Sequence, residues 1–396
     1  MKLDLSKTFQ TLGWAFYLAC SWTWCIGMFL PVILIRDYGI WGWVIFAIPN
    51  ILGAGAMAYI LSRPDISKEL TEKHKTACII FSIVTIIFQI YFIGWISTIV
   101  PNIFIIITGG VLFLICVLGS NIDSKQRFSA FIIWVLSLIS FILIFHFVPI
   151  EKTALFKSGN LIHNTNALLY LTPIFIFGFS LCPYLDLTFH KVRQSNTLLN
   201  SKIAFTMGFG FLFLLMILFT FFYAEPMANI IEGIPYFLKD QSHLPLVYIY
   251  IVVFHMLIQA GFTVILHLRS IFSEIKRHNG TRLFLLILSI LVYLTPIIFN
   301  GRHTFLGITI NEIIYRSFMA FYSLVAPAYV LLFIIPKNGK NISLNIYNIR
   351  VWILVILSAL PFYAIAFLGV KWNWEILSLI GLAVVLFSRV LIKQKK

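Results

Sequence analysis

Trp24-Cys25-Ile26-Gly27-Met28-Phe29-Leu30-Pro31 and Phe177-Gly178-Phe179-Ser180-Leu181-Cys182-Pro183 are the two runs on which the reading of this chain turns. Each lies in an apolar stretch of membrane-spanning length, and each has a glycine followed four or five residues later by a proline. Glycine weakens a helix by its backbone freedom, and proline by removing a donor and clashing with the preceding turn. Inside a bilayer, backbone groups freed in this way are tolerated only where protein or a wet cavity supplies partners. The pair predicts two interrupted helices whose breaks form a substrate site. The contacts are expected from Trp24, Cys25, Ile26, Gly27 and Met28 on one helix and Phe177, Gly178, Phe179 and Ser180 on the other. The competing reading is two ordinary kinks, since glycine and proline are both frequent in membrane helices.

The surrounding sequence dictates the membrane. Hydrophobic residues make up 60% of the chain and charged residues 11%, against about 45–50% and about 25% in soluble domains, and the mean hydropathy is +0.97. Residues 8–35, 38–62, 128–150, 164–185, 203–224 and 317–336 contain no Asp, Glu, Lys or Arg. A helix needs about 20 such residues to cross about 30 Å of hydrocarbon. Residues 76–122 are uncharged over two crossing lengths, and Pro101-Asn102 reads as the turn between them. The expected fold is an all-α integral membrane protein of about twelve spans: 11–35, 39–62, 76–100, 103–120, 128–149, 166–186, 203–224, 246–268, 283–300, 317–335, 351–370 and 376–392.

Charge orients these spans. All of the 29 Lys and Arg residues except Arg36, Lys152, Lys157, Lys239, Arg302, Arg316 and Lys371 fall in the two tails and in alternate loops on one side. Positively charged loops stay cytoplasmic, so both termini are expected there. Basic residues dispersed through short loops also argue against nucleic acid as a partner, despite a net charge of +15. Cys20, Cys25, Cys78, Cys116 and Cys182 lie in or beside apolar spans without CxxC or zinc-ligand spacing, and read as reduced core residues. No metal or cofactor is expected. No small-residue cleavage site follows a short apolar core, so the first span is expected to remain as a helix.

The interrupted helices are spans 1 and 6. An offset of five crossings makes them antiparallel, the expectation for a five-plus-five inverted repeat with its site at the breaks. Residues 8–150 would form the first repeat and 164–336 the second, followed by two C-terminal helices and a basic tail over 351–396. The run IGMFLPVILIRDYGIWGWVIFAIPNILGAGAMAYILS, residues 26–62, resembles spans 1 and 2 of the amino acid-polyamine-organocation (APC) superfamily. FGFSLCPYLDLTFHKVRQSNTLLNSKIA, from Phe177, is similar to that superfamily's sixth span and following basic loop. Ser21-Trp22-Thr23-Trp24 also resembles the first span of sodium/solute symporters, which share the leucine-transporter-like architecture. The chain departs from the commoner pattern in lacking Gly-Ser-Gly at the first break and in carrying Ser180-Leu181-Cys182 where an acidic residue usually follows the second.

The resemblance implies a central site lined by spans 1, 3, 6, 8 and 10, which makes Gln89, Gln259, Tyr322 and Ser323 candidates to face a small-molecule substrate. Intramembrane polar groups are costly and therefore informative in their own right. His255 reads either as a neutral imidazole bonded to a neighbouring helix or as a proton-coupling group, since its ordinary pKa is near 6.5. Thr263 is the hydroxyl that span 8 offers to a sodium site. Lacking an adjacent Ser or Thr, it favours H+ coupling or uncoupled exchange over Na+. Asp186 is placed near the cytoplasmic end of span 6, either as a gate ion pair with Lys7 or Lys202 or as an interfacial carboxylate hydrogen-bonded to a neighbouring helix end. Arg36-Asp37 reads as an outer gate or as an interface marker. Residues 225–243 read as an amphipathic helix or an ordinary loop.

The functional expectation is a permease of the bacterial inner membrane, moving an amino acid or amine by alternating access, and not an enzyme. A flippase for lipid-linked glycans and a membrane-embedded transferase are the alternatives. The first does not predict paired breaks in spans 1 and 6. The second calls for a carboxylate or His-Asp cluster absent from the sequence.

Overall fold

Long uncharged runs can satisfy their backbone in hydrocarbon only as helices or closed barrels, and this chain does so as helices. The computed structural model describes residues 5–100, 103–118, 125–147, 166–231, 246–274, 279–300, 304–305, 307–370 and 373–394. In chain order the helices are α1 (Leu5–Trp22), α2 (Cys25–Tyr38), α3 (Ile40–Ile60), α4 (Pro64–Lys73), α5 (Lys75–Ser97), α6 (Ile103–Leu118), α7 (Gln126–Phe147), α8 (Ala167–Leu181) and α9 (Leu187–Gln194). There follow α10 (Leu198–Met207), α11 (Leu214–Leu218), α12 (Thr220–Ile231), α13 (Leu246–Glu274), α14 (Asn279–Ile298), α15 (Ile310–Ala320), α16 (Ala326–Tyr329), α17 (Ile346–Leu368) and α18 (Leu377–Ser388). A two-residue ribbon pairs β1 (Thr304–Phe305) with β2 (Ile308–Thr309) antiparallel.

Among the described residues, eight helices are long and apolar enough to cross a membrane. A bent pair, residues 8–22 and 25–38, meets that test jointly with a 53° angle between its halves, and three shorter apolar helices cover 103–115, 283–298 and 377–391. The chain is thus a multi-pass, all-α protein of membrane type. α5 and α13 pack against each other at the centre. α7 and α17 lie outermost and carry exposed apolar side chains such as Phe131, Ile142, Leu354 and Leu357, the belt that lipid requires. Cys20, Cys25, Cys78 and Cys182 are buried and form no disulfide. Three π-helical turns, Gly208–Phe213, Phe321–Val325 and Val330–Ile334, interrupt the helices between α10 and α11 and on either side of α16.

Several boundaries differ from the sequence expectation. α15 starts at Ile310, capped by the Thr309 hydroxyl accepting from Glu312 N, so Glu312 and Arg316, read as outer-loop residues, are helical and buried. They tolerate burial because they pair with Arg36 and Asp37. Residues 220–231 are helical, while the remainder of the 225–243 segment, the Pro101-Asn102 turn, Lys152, Lys157, Lys239, Arg302 and Lys371 lie outside the described residues. The C-terminal tail is tied back onto the chain. Lys337 Nζ donates to Val390 O at 2.9 Å and Ile392 O at 3.0 Å, Lys393 N donates to Asn348 Oδ1 at 2.9 Å, and Ile342 bridges to Gln394.

Candidate functional site

The first helix breaks at Thr23-Trp24, upstream of the Gly27–Pro31 pair. Thr23 turns its hydroxyl back onto Ala19 O at 2.7 Å, Trp24 adopts extended backbone, and its indole N–H donates to Ser21 O. The backbone groups of the following turns find partners on neighbouring helices. Cys25 N donates to Gln89 Oε1 of α5 at 3.4 Å, Tyr315 OH of α15 donates to Cys25 O at 2.9 Å, and Tyr223 OH of α12 donates to Met28 O at 2.7 Å. Gly27 lies inside α2, and its role is close packing: a Cβ there would stand 3.3 Å from the Phe213 ring.

The second break is likewise displaced. α8 runs through Gly178 to Leu181, a 3-10 turn covers Cys182–Leu185, and Asp186 is extended before α9 begins. Gly178 again serves packing, since a Cβ would sit 3.0 Å from Tyr322 O. In both helices the proline marks the region but the turn breaks where neighbouring side chains supply hydrogen bonds.

Asp186 stands at this break, at the N-terminal end of α9. It is fully buried, and its Oδ1 caps α9 by accepting from Thr188 N and Thr188 Oγ1, both at 2.7 Å. The Thr188 hydroxyl also reaches Ser21 Oγ at 3.4 Å, joining the two breaks through side chains. Asp186 Oδ2 has no hydrogen-bond partner among the described residues. The expected ion pair with Lys202 is not formed: that ammonium stacks on the Tyr59 ring at 5.0 Å, and the Lys7 side chain lies outside the described residues. The cations following Asp186 in sequence are committed elsewhere. Arg193 donates to Leu61 O at 2.6 Å and Ser62 O at 3.0 Å, closing the C-terminal end of α3, and Lys191 donates to Gln126 at 2.6 Å.

Beside the breaks lies a narrow, partly open cleft between α2, α3, α8, α15, α17 and the π-turn at Phe321–Val325. Of the residues expected at the site, Trp24, Ile26, Gly27, Gly178, Phe179, Tyr322 and Ser323 line it. Cys25 and Met28 point into the helix packing, Phe177 packs on a second core cluster with Leu324 and Val355, and Ser180 is not on the wall. Gln89 serves the first break, with its Nε2 unpartnered. Gln259 donates to Ser137 Oγ at 2.9 Å and Thr263 donates to Gln259 O at 3.0 Å, both away from the cleft. His255 makes no hydrogen bond to a neighbouring helix; both ring nitrogens are unpartnered and the ring packs 4.7 Å from Phe219.

The sequence reading missed Trp22, Asn50, Phe175, Phe367 and Arg316 on the wall, and His267 behind Trp24 at 5.7 Å. Asn50 and His267 carried a usable signal, each being a polar group inside an apolar run. Asn50 Oδ1 accepts from the Trp22 indole at 2.6 Å. At one end of the cleft wall, Arg36 bonds Glu312 through both terminal nitrogens at 2.9 and 2.6 Å and Asp37 through Nε at 2.7 Å. Arg316 bonds Asp37 at 2.6 Å and Glu312 at 2.8 Å. Two cations and two anions thus neutralise one another. Nearby, Tyr38 OH donates to Glu375 at 2.7 Å, whose carboxyl is pushed up by burial. No family model matches the chain, and no curated protein matches it.

Proposed function

We propose that this protein is a secondary active transporter that moves a small organic solute, an amino acid or amine, across a bacterial cytoplasmic membrane by alternating access. The observation that carries the proposal is the meeting of two interrupted helices at a buried carboxylate, next to an aromatic cleft. Irregular backbone at membrane depth is found where it serves a site, because each freed polar group is expensive in hydrocarbon.

The helix pairing supports the five-plus-five reading. With twelve spans counted from the bent pair α1–α2, α10–α12 make up span 7 and α15–α16 span 10. Span 1 packs on span 7 through α1 and α10, and span 6 packs on span 2 through α8 and α3; span 1 packs on span 5, and span 6 on span 10. Each pairing recurs when the two repeats are exchanged, spans 1, 2 and 5 for spans 6, 7 and 10, with spans 11 and 12, α17 and α18, outside the repeat. The charge distribution supports cytoplasmic termini. On this reading the Arg36–Asp37–Glu312–Arg316 quartet is the outer gate, Trp24, Tyr322 and Phe179 hold the apolar part of the solute, and Asp186 is the group that takes up the coupling ion, with H+ favoured.

The test is uptake by proteoliposomes of a panel of amino acids and amines, preceded by thermal-shift screening with and without sodium at mildly acidic and neutral pH, since a ligand of the folded state raises the midpoint. Gly27→Leu and Gly178→Leu are expected to abolish uptake while preserving expression and insertion. Full uptake by both variants overturns the site.

A further inference from the structure

α13 carries a row of polar side chains that solute binding does not use. His255, Gln259, Thr263 and His267 recur at every fourth residue, so they stack on one face of a single helix, and all four are completely buried. The row meets α7 at Ser137 and α1 at Cys20 through Gln259, Phe219 through His255 and Trp24 through His267, and none of the four lines the cleft. Among the described residues, both nitrogens of His255, both nitrogens of His267 and Oε1 of Gln259 have no hydrogen-bond partner.

Stability alone does not select such a row, because each buried unsatisfied polar group costs about 1–3 kcal/mol. A leucine face would pack as well at no such cost. What the four groups share is the ability to accept and release protons or to orient a group that does. A neutral imidazole accepts on one nitrogen while releasing the proton from the other, a hydroxyl does the same through its oxygen, and the amide fixes donor and acceptor directions. Successive groups are about 6 Å apart along the axis, which one water molecule between neighbours spans.

We propose that this face of α13 is a proton path, separate from the solute cleft, running about 18 Å along the helix from His255 to the break in the first helix. It reaches the break at His267, whose ring stands against Trp24. On the other side of that break, Ser21 is joined through Thr188 to Asp186. The titratable and charged groups beside the row are Cys20, which accepts from Gln259 at 3.8 Å, and Tyr17, within electrostatic reach of both Asp186 and Arg269. Protons and solute then approach the same junction by different routes. The inference rests on the transporter reading for its purpose, though not for its measurement.

The full chain is reconstituted into liposomes holding a pH-sensitive dye, a potassium diffusion potential is imposed, and proton entry is recorded with and without leucine, phenylalanine and tryptamine outside. Wild type is expected to admit protons above protein-free liposomes. His267→Phe and His255→Phe are expected to lower that flux about tenfold or more, as loss of an intramembrane relay group predicts. Gln at either position, which keeps polarity but removes the imidazole, is expected to behave like Phe and serves where Phe variants fail to fold. Solute exchange in the absence of a gradient is expected to survive in the variants. Undiminished proton flux in folded variants, or none in wild type, overturns the path. Proton flux that depends on the histidines, with no exchange of any solute by wild type, leaves the path standing and removes the transporter reading.

Discussion

On the proposed transporter reading Asp186 has two separable tasks, helix capping and ion uptake, which single substitutions can divide. Its Oδ1 caps α9, and its Oδ2 has no hydrogen-bond partner among the described residues. Asp186→Asn keeps an acceptor for the cap and is expected to hold the thermal midpoint while abolishing gradient-driven uptake. Asp186→Ala is expected to lose the cap as well, at about 1 kcal/mol, seen as a lower midpoint in detergent. His74, between α4 and α5, makes a second residue-level case. Burial, reinforced by Lys73, pushes its pKa down to about 4, and its Nδ1 lies 3.0 Å from Tyr329 OH. Below its ordinary value of about 6.5 the unfolded chain binds the proton and the folded one does not, so stability is lost as pH falls from about 6.5 toward 4. His74→Asn is expected to flatten the fall in midpoint over that interval. Reading the sequence put Asp186 near the end of span 6 from the basic residues that follow it, and it stands just after the apolar segment 167–185, capping α9. In the fold Arg193 is spent on the carbonyls ending α3 and His190 on Ser67 Oγ at 2.8 Å.

At the scale of elements, the all-α, multi-pass character was legible because hydrocarbon thickness imposes a length that composition reveals directly, and eight helices of the described residues meet it. The interruption of the first helix was legible too, though the position of its break was not. Glycine and proline lower the cost of a break over a whole turn, and the partners that fix its position, Gln89, Tyr315 and Tyr223, come from α5, α15 and α12, distant in sequence. The glycines instead report contact between helices. A Cβ on Gly53 of α3 would stand 2.3 Å from Phe179 O of α8, which neither backbone can yield without separating. Gly53→Ala is expected to destabilise by about 1–3 kcal/mol, whereas Gly210, with nothing within 4 Å of its Cβ position, is expected to accept alanine without loss. Thermal midpoints of the two variants make the comparison.

For the whole molecule, the ion quartet links α2 to α15 with charges far apart in the chain, of which reading along the sequence singled out Arg36-Asp37 but not their partners Glu312 and Arg316. Removing one member strands buried charge, so Arg316→Met is expected to cost about 3–5 kcal/mol. Arg36→Met combined with Glu312→Leu leaves Asp37 and Arg316 as a neutral pair, and is expected to cost less than the sum of its single substitutions, a coupling that a double-mutant cycle of midpoints or denaturant curves measures. The tail carries a different kind of information. Because Lys393 and Gln394 are bonded to Asn348, Ile342 and Lys337, a tag appended after Lys396 and a cysteine introduced at position 340 occupy the same aqueous compartment. An impermeant reagent applied to sealed vesicles of one orientation will therefore modify both or neither, so the sidedness of the loop before α17 can be read from an epitope at the end of the chain.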